Sequence, residues 1–329
     1  MSYTITPHSF DSLAASWDDL HHILRWQSTF LLPGWLKVWW QVFGEGSELY
    51  LFDVKQGKNI IGIAPLMVKD DKASFIGSAD VCDYMDFVVA PGKERPFFTA
   101  LLDKLKKDGI REINLESLRH DSTAMTCLVD LAKSEGYEVT VTRENVSLDL
   151  DLLPTWEEYL HTLTPKQRRE TGRRFRRLEE EGDINYRVVE NAEPEALDIF
   201  FRLLRKSRED KAAFMTAQME SFFRSLADTM SEAKLLRFGI LEISGKPVAA
   251  VMCFDYNDGV YLYNSGYDPE YGYLSVGLMS KLLSIKDSIE RGRKVYDFLK
   301  GPEEYKYRLA GKEIPIYSCR IILATNPKP

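Results

Sequence analysis

Apolar and polar positions along this chain alternate with two different periods, and the changes of period mark out its elements. Glu48 to Val54 and Ile60 to Val68 read as strands either side of a turn at Lys55–Asn59. Met85 to Val89 reads as a short third strand, ended by Pro91-Gly92. Phe97, Leu101, Leu102 and Leu105 recur at helical spacing over Pro96 to Lys107, and Gly109 stops that helix. A strand at Arg111 to Leu118, a helix at Ser122 to Ser134, and a strand pair or one long bent strand at Tyr137 to Leu150 complete the first half. The most apolar stretch, Phe30 to Phe43, contains Lys37 and is too short to cross a bilayer. It reads as a buried helix after Pro33-Gly34, or else as a contact with a membrane surface or a partner.

Asp151 to Trp156, with Pro154, is the expected domain boundary, giving domains 1–152 and 153–329. Helices open the second half: Trp156 to Leu163, a very basic helix from Pro165 to Glu181, Pro194 to about Arg208, and Ala217 to Thr229. Strands follow at Leu235 to Ile243, Val248 to Tyr256 and Val260 to Ser265, the last two joined by Asn257-Asp258-Gly259, a strong hairpin signal. A helix from Ser275 to about Arg291, a strand at Lys294 to Leu299 and another at Ile314 to Leu323 close the chain. Each half thus holds a hairpin, a third strand, a helix and a fourth strand. Ile61-Gly62-Ile63-Ala64 matches Pro247-Val248-Ala249-Ala250, and Asn114 matches Tyr296. The pattern predicts diverged copies of one α/β unit, each built on a mixed sheet.

Strands joined by tight turns are antiparallel, and strands joined through a helix are parallel by a right-handed crossover. Val260–Ser265 and Lys294–Leu299 should therefore run parallel, with a ligand site at their carboxyl ends. The loop Gly266 to Gly277 leads into a helix N-terminus, whose unpaired amides favour an anion. Gly272 and Gly277 would let the backbone approach a diphosphate; the same residues also serve as ordinary caps. Neither a GxxxxGK[ST] loop nor a GxGxxG fingerprint is present.

Composition narrows the function classes. The net charge of −7 excludes a generic nucleic-acid binder. Four scattered cysteines without a CxxC pair point to reduced thiols and a cytoplasmic setting. The N-terminus lacks a basic segment followed by an apolar one, so no secretory signal is expected. No run nears the ~20 apolar residues of a membrane span. Five histidines without an HxxxH pattern predict no metal.

The second half resembles the GNAT acyltransferase fold. In particular, it is similar to the acetyltransferases associated with cellulose and other exopolysaccharide gene clusters, relatives of the Fem-type aminoacyltransferases. The segments carrying the likeness are 164–178, Gly245 to Ala250, Tyr263 to Pro269, Leu274 to Gly277, and Tyr296 to Lys306, whose Asp-Phe-Leu-x-Gly followed by Tyr-Lys is the most specific. The general GNAT phosphate loop, Gln/Arg-x-x-Gly-x-Gly/Ala, is replaced here by Tyr271 to Gly277. The first half resembles the same fold loosely, as a tandem copy with a degenerate site.

The resemblance implies an enzyme, an N- or O-acyltransferase using acetyl-CoA or another acyl-CoA as co-substrate. The acceptor would be an amine or hydroxyl of a sugar, polysaccharide precursor or amino compound, attacking directly in a ternary complex. The diphosphate would rest on Leu274, Ser275, Val276 and Gly277, and the pantetheine arm would pair with Tyr263, Asn264 and Ser265. Asp297 is the candidate base or acceptor-orienting group, because an amine is mostly protonated at neutral pH. Tyr305 would protonate the leaving thiolate, and Lys306 would bind a phosphate or an oxyanion. Arg208 and Lys211 are acceptor-side candidates. Arg173 lies in the basic helix, which reads as a solvated face, a dock for an anionic acceptor or CoA phosphates, or an RNA contact. The last belongs to a Fem-like, aminoacyl-tRNA-dependent reaction. A non-catalytic binding module is a third reading.

Overall fold

In the computed structural model, residues 3–78 and 80–323 are described. The chain divides into two compact units: residues up to Val146 together with those from Ile314, and Ser147–Glu313. The division falls inside a strand, six residues before the expected boundary at 152, and the last strand belongs to the first unit rather than the second.

The first unit contains β1 (Tyr3–Pro7), α1 (Phe10–Ala15), α2 (Trp17–Leu20), α3 (Pro33–Phe43), β2 (Glu48–Gln56), β3 (Asn59–Lys69), β4 (Lys72–Phe75), β5 (Val88–Val89), α4 (Glu94–Lys107), β6 (Glu112–Arg119), α5 (Val129–Ser134) and the start of β7 (Glu138–Asp151). The second holds the end of β7, α6 (Trp156–Thr162), α7 (Pro165–Glu181), β8 (Ile184–Val189), α8 (Pro194–Ser207), α9 (Glu209–Phe214), α10 (Ala217–Glu232), β9 (Leu236–Ile243), β10 (Lys246–Tyr256), β11 (Gly259–Tyr267), α11 (Val276–Glu290), β12 (Val295–Lys300) and α12 (Glu304–Arg308). Then β13 (Lys312–Ile322) carries the chain back.

In the first unit the sheet order is β1-β2-β3-β4-β6-β13, with β4 parallel to β6 and β13 antiparallel to it. The Trp-rich stretch is a buried helix: Trp35, Leu36, Val38 and Trp39 of α3 face the core. The expected strand over 85–89 is reduced to Val88–Val89 on β3, and the third strand is β4. In the second unit the order is β12-β11-β10-β9-β8, with residues 147–151 on the other side of β12. Asn257 and Asp258 adopt φ of 51° and 60°, as a two-residue hairpin turn between β10 and β11 requires. Thr164 and Gln167 form a capping box that starts α7, with Pro165 in its first turn. Met279, Leu282 and Ile285 of α11 and Phe200, Phe223 and Phe238 fill the core of this unit.

The two units repeat one backbone irregularity. The ladder of β12 with β7 breaks between Asp297 and Lys300, and Leu299 there has φ 61°. The ladder of β6 with β13 breaks between Leu115 and Leu118, opposite Tyr317 and Cys319, and Ser117 has φ 57°. Ser117 is thus the counterpart of Leu299, in the register that sets Asn114 against Tyr296. In the first unit the amide of Met85 closes the bulge by donating to the Ser117 carbonyl at 3.0 Å. In the second unit a lysine side chain does so.

Asp86 anchors the start of the helical turn, Ala124–Leu128, that leads into α5. Its buried carboxylate accepts from the Thr123 amide (2.6 Å), the Thr123 hydroxyl (2.8 Å) and the Ala124 amide (3.0 Å). Burial outweighs these donors and raises its pKa to about 6. The native state therefore binds more protons than the unfolded chain between about pH 4 and 6, and this group's contribution falls as pH rises through that window. Asp86→Ala should cost about 2 kcal/mol, by urea denaturation, with a larger loss at pH 4.5 than at pH 7. Equal losses at both pH values would contradict the linkage.

Candidate functional site

The parallel ladder between β11 and β12 consists of Gly259↔Val295, Val260↔Tyr296 and Tyr261↔Asp297 and then stops. Beyond it β11 runs on beside β10 to Tyr267, while β12 turns away at its bulge. The carboxyl ends of the two strands are therefore unpaired with each other, and α11 begins beside them.

The start of α11 follows a 3-10 turn, Pro269–Leu274, and Ser275 in the left-handed region with φ 57°. The Leu278 and Met279 amides donate back to the Ser275 carbonyl. The Val276 and Gly277 amides make no backbone hydrogen bond among the described residues, as the first turn of a helix dictates. Gly277 is required by packing: a Cβ there would lie 2.8 Å from the Tyr267 ring. Leu274 and Val276 are buried, so they present backbone only.

On β11, the Tyr263 ring packs against Phe223 and Phe254. Asn264 and Ser265 meet Lys211 of α9, whose Nζ donates to Asn264 Oδ1 (3.0 Å) and the Ser265 carbonyl (2.5 Å). Burial, with the Arg208 charge beside it, lowers the Lys211 pKa to about 8. Arg208 itself forms a two-pronged pair with Asp210, at 2.9 and 2.7 Å. Of the acceptor-side candidates, Lys211 reaches the strand ends and Arg208 pairs with its own helix.

On β12, Asp297 is buried and its Oδ1 accepts from the Leu299 amide at 2.7 Å, which holds the bulge. That gives the expected base a structural partner. Lys306, 1% exposed, donates to the carbonyls of Leu299, Lys300 and Gly301, each at 2.9 Å, and pairs with Glu303 at 2.9 Å. Its ammonium is engaged by these groups, so that it staples the end of β12. Tyr305 packs edge-on to Phe298, and its hydroxyl makes no hydrogen bond among the described residues. Burial pushes that phenol well above its ordinary pKa, which keeps it protonated and makes it a weak acid.

Lys281 was not singled out from the sequence. It lies on α11, 6% exposed, donates to the Gly277 carbonyl at 2.8 Å, and stands 4.7 Å from the centre of the Tyr305 ring. The signal was present: Lys281, Ser284 and Ser288, three and four residues apart, form a buried polar row on α11. Arg173 lies elsewhere, on the exposed face of α7. There a hollow of about 560 Å³ is lined by Lys166, Arg168, Arg169, Gly172, Arg173 and Arg176 together with Glu170. Among the described residues no group of three or more His, Cys, Asp or Glu could hold a metal, and no helix is long and apolar enough to cross a membrane.

Residues 165–307 match the family model of the acetyltransferase (GNAT) domain. No curated protein sequence matches the chain. Among solved structures, FemX superposes with a TM-score of 0.67 at 10% identity, covering 96% of each chain. A tandem GNAT protein from the clavulanic acid biosynthesis pathway gives 0.52 at 12% identity over 99% of this chain and 100% of that one. L-PGS from Bacillus licheniformis gives 0.52 at 11% identity over 79% and 80%. At such identities the likeness is one of fold. The chain is a mixed α/β protein of two GNAT-like domains, with a GNAT-type acyltransferase fold in the second.

Proposed function

We propose that the second unit transfers an acyl group from an acyl-CoA, in first place acetyl-CoA, to an amine or hydroxyl acceptor by direct attack in a ternary complex. The observation that carries this reading is the end of the β11–β12 ladder beside the open amides of α11. A thioester supplies an activated carbonyl; the rest is the work of this chain's residues. The Val276 and Gly277 amides, with Leu274 and Ser275 setting their direction, hold a diphosphate. The Tyr263–Ser265 edge of β11 faces an extended amide arm, and at its far end the Ser265 amide and carbonyl are held by Asn264 Oδ1 and Lys211, contacts the arm would exchange. Asp297 and Lys306 fix the shape of β12's end, and Tyr305 lies beside them as a phenol that burial keeps protonated. The acceptor fits a sugar, a polysaccharide precursor or an amino compound, with Lys211 and Arg208 on its side.

Acetyl-CoA at about 100 times its Kd should add about 2.7 kcal/mol of stability. Thermal unfolding with and without it reads this, and no shift with any acyl-CoA contradicts the reading. Asp297→Asn keeps an acceptor for the Leu299 amide and should bind acetyl-CoA like the wild type. Asp297→Ala loses it and should cost about 1–2 kcal/mol and weaken binding. Equal behaviour of the two variants by calorimetry would remove the bulge from the account.

A second reading, Fem-like transfer from an aminoacyl-tRNA, is favoured by the arginine-lined hollow on α7, where Arg168 Nε is buried without a hydrogen-bond partner. RNA binding that weakens steeply with salt, and that Arg173→Glu weakens further, would support it.

A further inference from the structure

We propose that Lys281 is stored as an uncharged amine and is the proton acceptor of the transfer reaction, an inference that rests on the thioester site proposed above. Its surroundings are counted in donors. An ammonium carries three N–H groups; an amine carries two and a lone pair. The Gly277 carbonyl takes one N–H at 2.8 Å, and the face of the Tyr305 ring, 4.7 Å away, takes a second. A third N–H finds no acceptor among the described residues, although the side chain is almost wholly withdrawn from water. An amine is satisfied there, with its lone pair left over, whereas an ammonium is not.

The neighbouring groups pull both ways, and the Tyr305 ring face itself favours a cation. Lys211 on α9 and Lys306 on α12 oppose another positive charge, while Glu303, half-exposed, and the Cys253 thiol of β10 favour it. Burial is the largest influence, and together they bring Lys281 to about 7. The other candidates are engaged or unsuited. One Asp297 oxygen holds the Leu299 amide, the Lys306 ammonium is bound to three carbonyls, and the Tyr305 phenol resists ionisation.

The step balances without another reactant. Lys281 takes the proton that the acceptor's nitrogen or oxygen loses as its electron pair bonds to the acyl carbon. The carbon–sulfur bond breaks with its pair on sulfur, and Lys281 passes the proton to that sulfur. The products are an amide or ester and a free thiol, and the lysine is unchanged.

The test has two readouts on the whole chain. In protein labelled with [13C]lysine, the Lys281 Cε resonance, assigned by its loss in Lys281→Met, should titrate with a midpoint near 7 and shift when acetyl-CoA is added. A midpoint at an ordinary lysine value of about 10, or a resonance indifferent to bound acetyl-CoA, overturns the proposal. The second readout is thiol release from acetyl-CoA with a panel of primary amines, water being an acceptor in every reaction. Divided by the fraction of acceptor present as free amine, the wild-type rate should fall about tenfold per pH unit below the midpoint. Lys281→Met and Lys281→Arg should both be slower by about 100-fold, because arginine keeps a cation but accepts no proton. Equal rates in wild type and both variants, with acetyl-CoA bound, overturn it, as does rescue by arginine. Calorimetry separates the two levels: absence of acetyl-CoA binding removes the thioester site itself, whereas intact binding with unchanged rates removes only the role of Lys281.

Discussion

Gly266→Ala should leave the second unit unfolded at temperatures where the wild type is native. Gly266 lies in β11 beneath α8. A Cβ on it would fall 2.3 Å from the Leu204 nitrogen, 2.4 Å from the Leu203 carbonyl carbon and 2.5 Å from the Leu204 Cα. These are backbone atoms of a helix whose Phe200, Phe201, Leu203 and Leu204 are all buried, so no side chain can swing aside. The helix must lift off the sheet, and overpacking of that kind costs about 3 kcal/mol or more. Gly272→Ala is the control, since its Cβ would meet nothing within 4 Å. A Tm for Gly266→Ala within a degree or two of the Gly272→Ala value would show that the helix gives way easily.

Lys306→Met should be the most damaging change at the proposed site. Methionine matches the volume of the buried stem but donates no hydrogen bond. The carbonyls of Leu299, Lys300 and Gly301 lose their shared donor, and Glu303 loses its ion pair. Unsatisfied groups of this kind carry a cost of about 3 kcal/mol together, reduced by whatever water reaches the half-exposed loop. The end of β12 then relaxes, so acetyl-CoA binding should fall by at least about tenfold, a loss of about 1.4 kcal/mol. Calorimetric titration and thermal unfolding read both effects. Wild-type affinity in a folded Lys306→Met protein would mean that the shape of this turn does not matter to the ligand.

The fold was legible where the pattern was long. The β2–β3 and β9–β10–β11 hairpins, the helices α4, α8, α10 and α11, and the parallel pair β11–β12 all follow from period and turn chemistry. The repeat was legible down to the residue, since aligning Asn114 with Tyr296 places Ser117 opposite Leu299, the one left-handed residue in each of β6 and β12. Short elements escaped. β4 is four residues, Lys-Ala-Ser-Phe, too few to show a period, and β1 and β8 gain their strand character from neighbours remote in sequence. Nothing in Ile314 to Leu323 could show that it pairs with β6 of the first unit, because pairing partners are set by the whole sheet.

At the site, residue types were legible and their partners were not. The positions of Asp297, Lys306 and Lys211 at the strand ends follow from topology. That Lys306 faces three carbonyls of its own loop follows from the left-handed Leu299, which no local rule requires of a leucine. Lys281 was hidden by the habit of reading a helical lysine as solvated. Its row-mates Ser284 and Ser288 were the clue that this face is polar and buried at once.

The most direct measurement is a crystal structure of the protein grown with saturating acetyl-CoA. The diphosphate should lie against the Val276 and Gly277 amides, with the pantetheine arm running between Tyr263–Ser265 and the end of β12 and the thioester near Lys281 and Tyr305. Coenzyme bound only on the arginine face of α7, or β11 and β12 unchanged with no coenzyme between them, would contradict the account.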